Sequence, residues 1–205
     1  MRAKYALVAV ADTTLALLGA SRWRKITKPA LMPVLAAENR PAGPAPALGL
    51  LGSWAGDVAL LRGGDRAFLT GLGSFLAAHV AYTGAFAARG GRPRARLVVP
   101  VAVTTAATAA VLGRKAGPLR RPVQVYALAI GTMGAAATTV RGPGAGRIAA
   151  GAAAFMASDS LLALGRFVLP KRWARVTDAG VMASYTLAQW LIHDGLRQHD
   201  ANAPH

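Results

Sequence analysis

The chain has 205 residues, 54% of them apolar, with 24 Lys and Arg against 8 Asp and Glu and no Cys. Without Cys there is no disulfide framework and no thiolate chemistry. A net charge of +16 would suit nucleic acid, but the basic residues stand in short clusters between long apolar runs. That is the pattern of loops in a polytopic membrane protein, not of a single basic face, so no nucleic-acid partner is expected.

In chain order the apolar segments run over roughly 5–20, 26–37, 46–61, 67–88, 97–113, 122–140, 145–165 and 176–193. Helix is the expected conformation throughout, because unpaired backbone in hydrocarbon is costly and the alternation of barrel strands is missing. The fold class read from this is an all-α integral membrane protein, one polytopic domain over 1–205 with a bundle of about eight transmembrane helices. Abundant Gly and Ala suit close helix packing in a membrane. The first segment leads straight into more apolar chain, so a cleaved signal peptide is not expected. Breaks fall at 22–25, 38–44, 62–66, 89–96, 114–121, 141–144 and 166–175, most of them with charge plus Gly or Pro. The second segment is short, contains Pro29 and Pro33, and is expected to be kinked or partly inserted.

The loops after the odd segments hold 14 of the 24 Lys and Arg. This excess places those loops in the cytoplasm and the termini outside. Anionic lipid headgroups are the expected partners of the basic loops, and the cell membrane is the expected location. Oligomeric state is not legible in the sequence.

Within the third segment, in Leu50-Leu51-Gly52-Ser53-Trp54-Ala55-Gly56-Asp57, one carboxylate interrupts an uncharged run. An intramembrane acid is a functional candidate by default, given its cost in hydrocarbon. The pattern Ala55-Gly56-Asp57-x-x-Leu60 returns as Ala157-Ser158-Asp159-x-x-Leu162 in the seventh segment, hinting at a four-plus-four repeat of parallel orientation. Asp57 stands five residues before Arg62 and Asp159 seven before Arg166. At the rise of an α-helix both lie roughly 8–10 Å beneath the odd-loop face. Tyr126 enters from that face, and Lys28 opens the second segment there. His79 with Tyr82, and Tyr185 with Gln189, share helix faces by spacing and lie deeper. Counted from Arg66, His79 does not come level with Asp57. Asp12 has no assigned role, and His193, His199 and His205 are expected as solvated tail residues.

Two carboxylates beneath an interface suit acid–base hydrolysis of a lipid. Low dielectric favours the neutral form of a carboxyl, which makes it a usable proton donor near neutral pH. A partner held ionised by Lys28 or by hydrogen bonds would stabilise a cationic centre, as in glycoside hydrolysis. Each residue also has a structural reading. The two acids could be polar glue between helices, Lys28 could snorkel, and Tyr126 could belong to an aromatic belt. His79 could be structural, and Ser158 could simply permit close packing.

Five motifs in order carry a family resemblance. They are Thr27-Lys28-Pro29 with Met32-Pro33, Gly56-Asp57-x-x-Leu60-Leu61, Gly73-x-Phe75-x-x-x-His79-x-x-Tyr82, Phe155-x-x-Ser158-Asp159, and Tyr185-x-x-x-Gln189. Together they make the chain similar to the YhhN family of multipass membrane proteins, which includes lysoplasmalogenases. The resemblance implies a lysophospholipid substrate whose vinyl ether bond is hydrolysed to a fatty aldehyde and glycerophosphoethanolamine or glycerophosphocholine. It places Lys28, Asp57, His79, Tyr82, Ser158 and Asp159 on family motif positions. On this reading Asp57 is the general acid and Asp159 the stabiliser or water-directing base, with the reverse assignment open. Lys28, His79, Tyr82, Tyr126, Ser158, Tyr185 and Gln189 would line the substrate site. No metal or other cofactor is required. A small transporter or proton-coupled carrier is the alternative, since buried Asp and His also make proton relays. A purely structural subunit ranks third, and a zinc hydrolase fits poorly because it would need three convergent ligands.

Overall fold

The computed structural model describes residues 2–202; His205 lies outside them. Among the described residues the fold is all-α, as expected. The helices are α1 (Ala3–Leu18), α2 (Ser21–Glu38), α3 (Pro44–Leu60), α4 (Gly64–Ala87), α5 (Ala95–Lys115), α6 (Arg120–Ala137), α7 (Ala145–Phe167) and α8 (Ala174–Ala201). Short 3-10 turns precede α6 and α8. By length and composition two helices, α5 and α7, are long and apolar enough to cross a membrane.

The apolar segments therefore match the helices, with two corrections to their ends. Residues 22–25, read as a break, lie inside α2. The true break is Gly19, which turns the chain with φ 71°, while Arg22 and Lys25 point outward from the helix. Helix α8 continues past 193 to Ala201, and His193, expected in solvent, is fully buried.

Nor is α2 broken by its prolines. Pro33 has no N–H to offer the carbonyl of Pro29, and the Trp54 indole N–H donates to that carbonyl instead, at 3.0 Å. The contact replaces the missing helical bond and fastens α2 to α3 beside Lys28. At the other end of α2, the Glu38 carboxylate accepts from the backbone N–H groups of Lys4 and Tyr5 at 3.1 and 2.9 Å. It thereby satisfies the open first turn of α1.

Helix contacts close a ring in the order α1, α2, α3, α4, α6, α7, α8 and back to α1, with α5 outside it, packed on α6 and touching α7 lightly. Between consecutive helices of each half, the third and fourth pack most extensively and the second and third least. The halves thus share an internal packing order, but α8 closes on α1 whereas α4 closes on α6. The pair α3–α4 is held close by glycine. A Cβ on Gly56 would stand 2.5 Å from the Phe75 ring, and one on Gly49 would stand 2.5 Å from the Tyr82 ring. At the even-loop end, Gly90 and Val140 form an isolated antiparallel bridge. Arg89 there donates to both Asp200 oxygens at 2.7 Å, and this holds the Asp200 carboxyl below its ordinary range.

Candidate active site

Asp57 is held at both oxygens. The Lys28 ammonium lies 3.3 Å from Oδ1, and the Tyr185 hydroxyl donates to Oδ2 at 2.7 Å. Asp57 and Lys28 are both buried. Lys28 is aimed there by the face of α2 it shares with Arg24 and Thr27, and both of those engage Asp12. Thr27 donates to Asp12 Oδ1 at 2.6 Å, and Arg24 Nη2 lies 3.3 Å from Oδ2. Asp12, which had no assigned role, thus fixes the rotation of α2 about its axis.

Asp159 is held on one oxygen. Oδ2 accepts from the Tyr126 hydroxyl and lies 3.2 Å from His79 Nε2, which is itself 2.9 Å from the Tyr126 hydroxyl. No hydrogen bond reaches Oδ1 from the described residues. The residue count from Arg66 compared His79 with Asp57; the structure brings its ring to Asp159 instead. Such a count ignores helix tilt and side-chain reach, and long side chains such as Arg166, which extends to Asp65, span several ångströms. Phe155, one turn from Asp159, stands edge-on to both His79 and Tyr185 at 4.8 and 5.4 Å between centroids.

Both acids line one cavity of about 520 Å³. Gly63, Gly64 and Leu169 stand at its odd-loop end, Arg24, Lys28, Arg166 and Lys171 are its cations, and Phe75 and Tyr185 close its inner end. A third carboxylate, Asp178, belongs to the same wall and was missed. The signal for it was a helical stripe, since 178, 182, 185, 189, 193 and 196 recur at the spacing of one α8 face.

The other sequence candidates divide. Ser158 lines the cavity but donates to the Val181 carbonyl at 3.1 Å, tying α7 to α8. Tyr82 and Gln189 lie away from it in a closed polar ladder. Gln189 donates to Ser53 at 2.8 Å, Tyr82 donates to Gln189 at 2.7 Å, and His193 Nε2 is 3.0 Å from the Tyr82 hydroxyl. Among the described residues no three His, Asp or Glu side chains converge to hold a metal ion.

The profile of the YhhN family matches residues 20–196, a span that takes in every residue of both acid clusters. The chain belongs to the YhhN family. It is similar to lysoplasmalogenases of Mycobacterium bovis and Mycobacterium tuberculosis, each 35% identical over 141 residues. That stretch is 63% of this chain and 51% of each relative, so the chain spans about half the length of the curated relatives it matches. No solved structure matches it.

Proposed function

We propose that this YhhN-family chain is a multipass protein of the cell membrane, one domain of eight spanning helices, that hydrolyses the vinyl ether bond of lysoplasmalogen. The observation that carries this reading is the pairing of Asp57 and Asp159 on one cavity with unequal partners. Asp57 has both oxygens engaged, one of them beside Lys28, and serves as the fixed anion. Asp159 has Oδ1 open and serves as the proton donor, which reverses the assignment first favoured from the sequence.

In the reaction Asp159 delivers its proton to the alkene carbon distal to the ether oxygen, and the C=C electron pair forms the new C–H bond. The resulting oxocarbenium ion is stabilised by the Asp57 carboxylate. Water adds to its carbon and returns a proton to Asp159, giving a hemiacetal. Cleavage of the C–O bond to glycerol moves the hemiacetal hydroxyl proton to the departing oxygen and leaves fatty aldehyde and a glycerophospho-alcohol. Tyr126 and His79 hold the Asp159 carboxylate while its proton is on the lipid, until water addition restores it. The lysolipid phosphate sits toward Lys171 and Arg166 at the cavity mouth, and anionic lipids neutralise the remaining basic loops.

A second reading is favoured by the ladder Ser53–Gln189–Tyr82–His193. A buried polar series of this kind is also how a proton-coupled carrier is built. One measurement separates the two. Detergent-solubilised protein is expected to release aldehyde from lysoplasmalogen, because hydrolysis needs no sealed compartment. Activity confined to sealed vesicles, with a proton gradient and no aldehyde, would favour the carrier.

A further inference from the structure

A second, apolar space lies between α4, α5, α6 and α7, running from Phe68 and Val123 inward to Thr105, Ile130 and Met156. It shares four wall residues with the polar cavity, namely Phe68, Asp159, Leu162 and Phe167. The hydrophobic core divides here. Phe68, Leu112, Ala116 and Val123 form a small cluster of their own, separate from the main one. As it stands the slot measures about 50 Å³, too small for a lipid chain. One of its walls is α5, which lies outside the helix ring and packs chiefly on α6. Outward movement of that single helix would be enough to widen the slot.

We infer that this slot takes the alkenyl chain of the single-chain substrate, with Asp159 at the junction between its polar and apolar parts. The inference rests on the reading of Asp159 as proton donor. In a vinyl ether lipid the carbon that accepts the proton is the one that carries the rest of the chain. The hydrocarbon must therefore leave the reacting bond directly beside the donor oxygen. Asp159 is the one ionisable side chain common to both spaces, and the slot continues from it toward the bilayer interior. A chain seated there excludes water from the donor side and leaves the cavity side open to the attacking water.

The test is the ratio of kcat/KM for lysoplasmenylethanolamine with a 16-carbon and with an 8-carbon alkenyl chain, read on the same preparation so that partial unfolding cancels. Thr108→Phe, which fills the slot from α5, is expected to lower the ratio by about tenfold or more, and Met156→Ala, which lengthens it, to raise the ratio. Ratios within about twofold of wild type in both variants would overturn the slot. A readout independent of turnover is photolabelling of the full chain with a lysophosphatidylethanolamine carrying a diazirine near its chain end. Labels on Thr105, Ile130 or Met156 that unlabelled lysolipid displaces support the slot. Equal labelling there by a two-chain phosphatidylcholine probe, which marks ordinary bilayer contact, or labels only on outward-facing residues, would sink it. Were wild-type protein to release no aldehyde yet take the displaceable label, the hydrolase reading would fail while the slot stood.

Discussion

The two acids stand at matching places in the two halves of the chain. Each is on the third helix of its half and is held by the second helix of its own half and the fourth helix of the other. Asp57 on α3 meets Lys28 of α2 and Tyr185 of α8. Asp159 on α7 meets Tyr126 of α6 and His79 of α4. The scaffolds agree and the chemistry differs. A fixed cation stands at the first site, where the second has a phenol and an imidazole that can exchange protons. On the proposed reading, one scaffold serves an acid that acts as an anion and an acid that gives up a proton. Two acids with divergent surroundings are the arrangement that acid–base chemistry requires.

This contrast is open to attack at several points, beginning with the largest effect. Asp159→Asn is expected to lower aldehyde release by about a thousandfold with little change in thermal midpoint, because the Tyr126 hydroxyl can still donate to the amide oxygen. Asp57→Asn is expected to lose both activity and stability, the latter by about 3 kcal/mol, since Lys28 is left buried without its counter-charge. Adding Lys28→Met should recover much of that stability without activity. If the two Asn variants showed equal losses of stability by denaturant or heat, the distinction between the half-sites would be gone.

Two buried phenols make the next comparison. Tyr126→Phe removes a donor to Asp159 and should reduce kcat by about tenfold. Tyr82→Phe removes the centre of the closed ladder. It should cost about 1–2 kcal/mol of stability and leave kcat within about threefold of wild type. An equal kinetic loss in Tyr82→Phe would bring the ladder into the active site.

The smallest effect lies at the opposite end of the bundle. Arg89 holds the Asp200 carboxyl below its ordinary range through their hydrogen bonds. A depressed folded-state value means that the pair's contribution is present at neutral pH and is lost as pH falls through that value, below about pH 4. Thermal midpoints of wild type should therefore decline more steeply in acid than those of Asp200→Asn, with the two curves converging at low pH. Parallel curves would show that the pair contributes nothing to stability.

Much of this is legible in the sequence. The apolar segments located the helices, because burial of a long apolar run leaves few alternatives to a helix. The repeated acid pattern pointed to Asp57 and Asp159, and Lys28 as a partner of one acid followed from its depth. What escaped the sequence depends on inclination and on side-chain reach. The contact of His79 with Asp159 was not foreseen from residue counts, and the burial of His193 was missed because its helix outlasts the apolar run. The charges at 22–25 were read as a break although they ride on the outer face of α2. Pro33 argued for a kink, and only the packed structure reveals that Trp54 from another helix occupies the vacant acceptor.

The crossing of partners between halves bears on ancestry. Neither set of four helices could assemble a complete acid centre alone, because the fourth helix of each serves the acid of the other. If the two halves arose by duplication, a half-length forebear would have had to work as a pair of identical molecules, with two equivalent centres around a twofold axis. Fusion into one polypeptide would then have freed the two centres to diverge, one gaining a lysine and the other a tyrosine and a histidine.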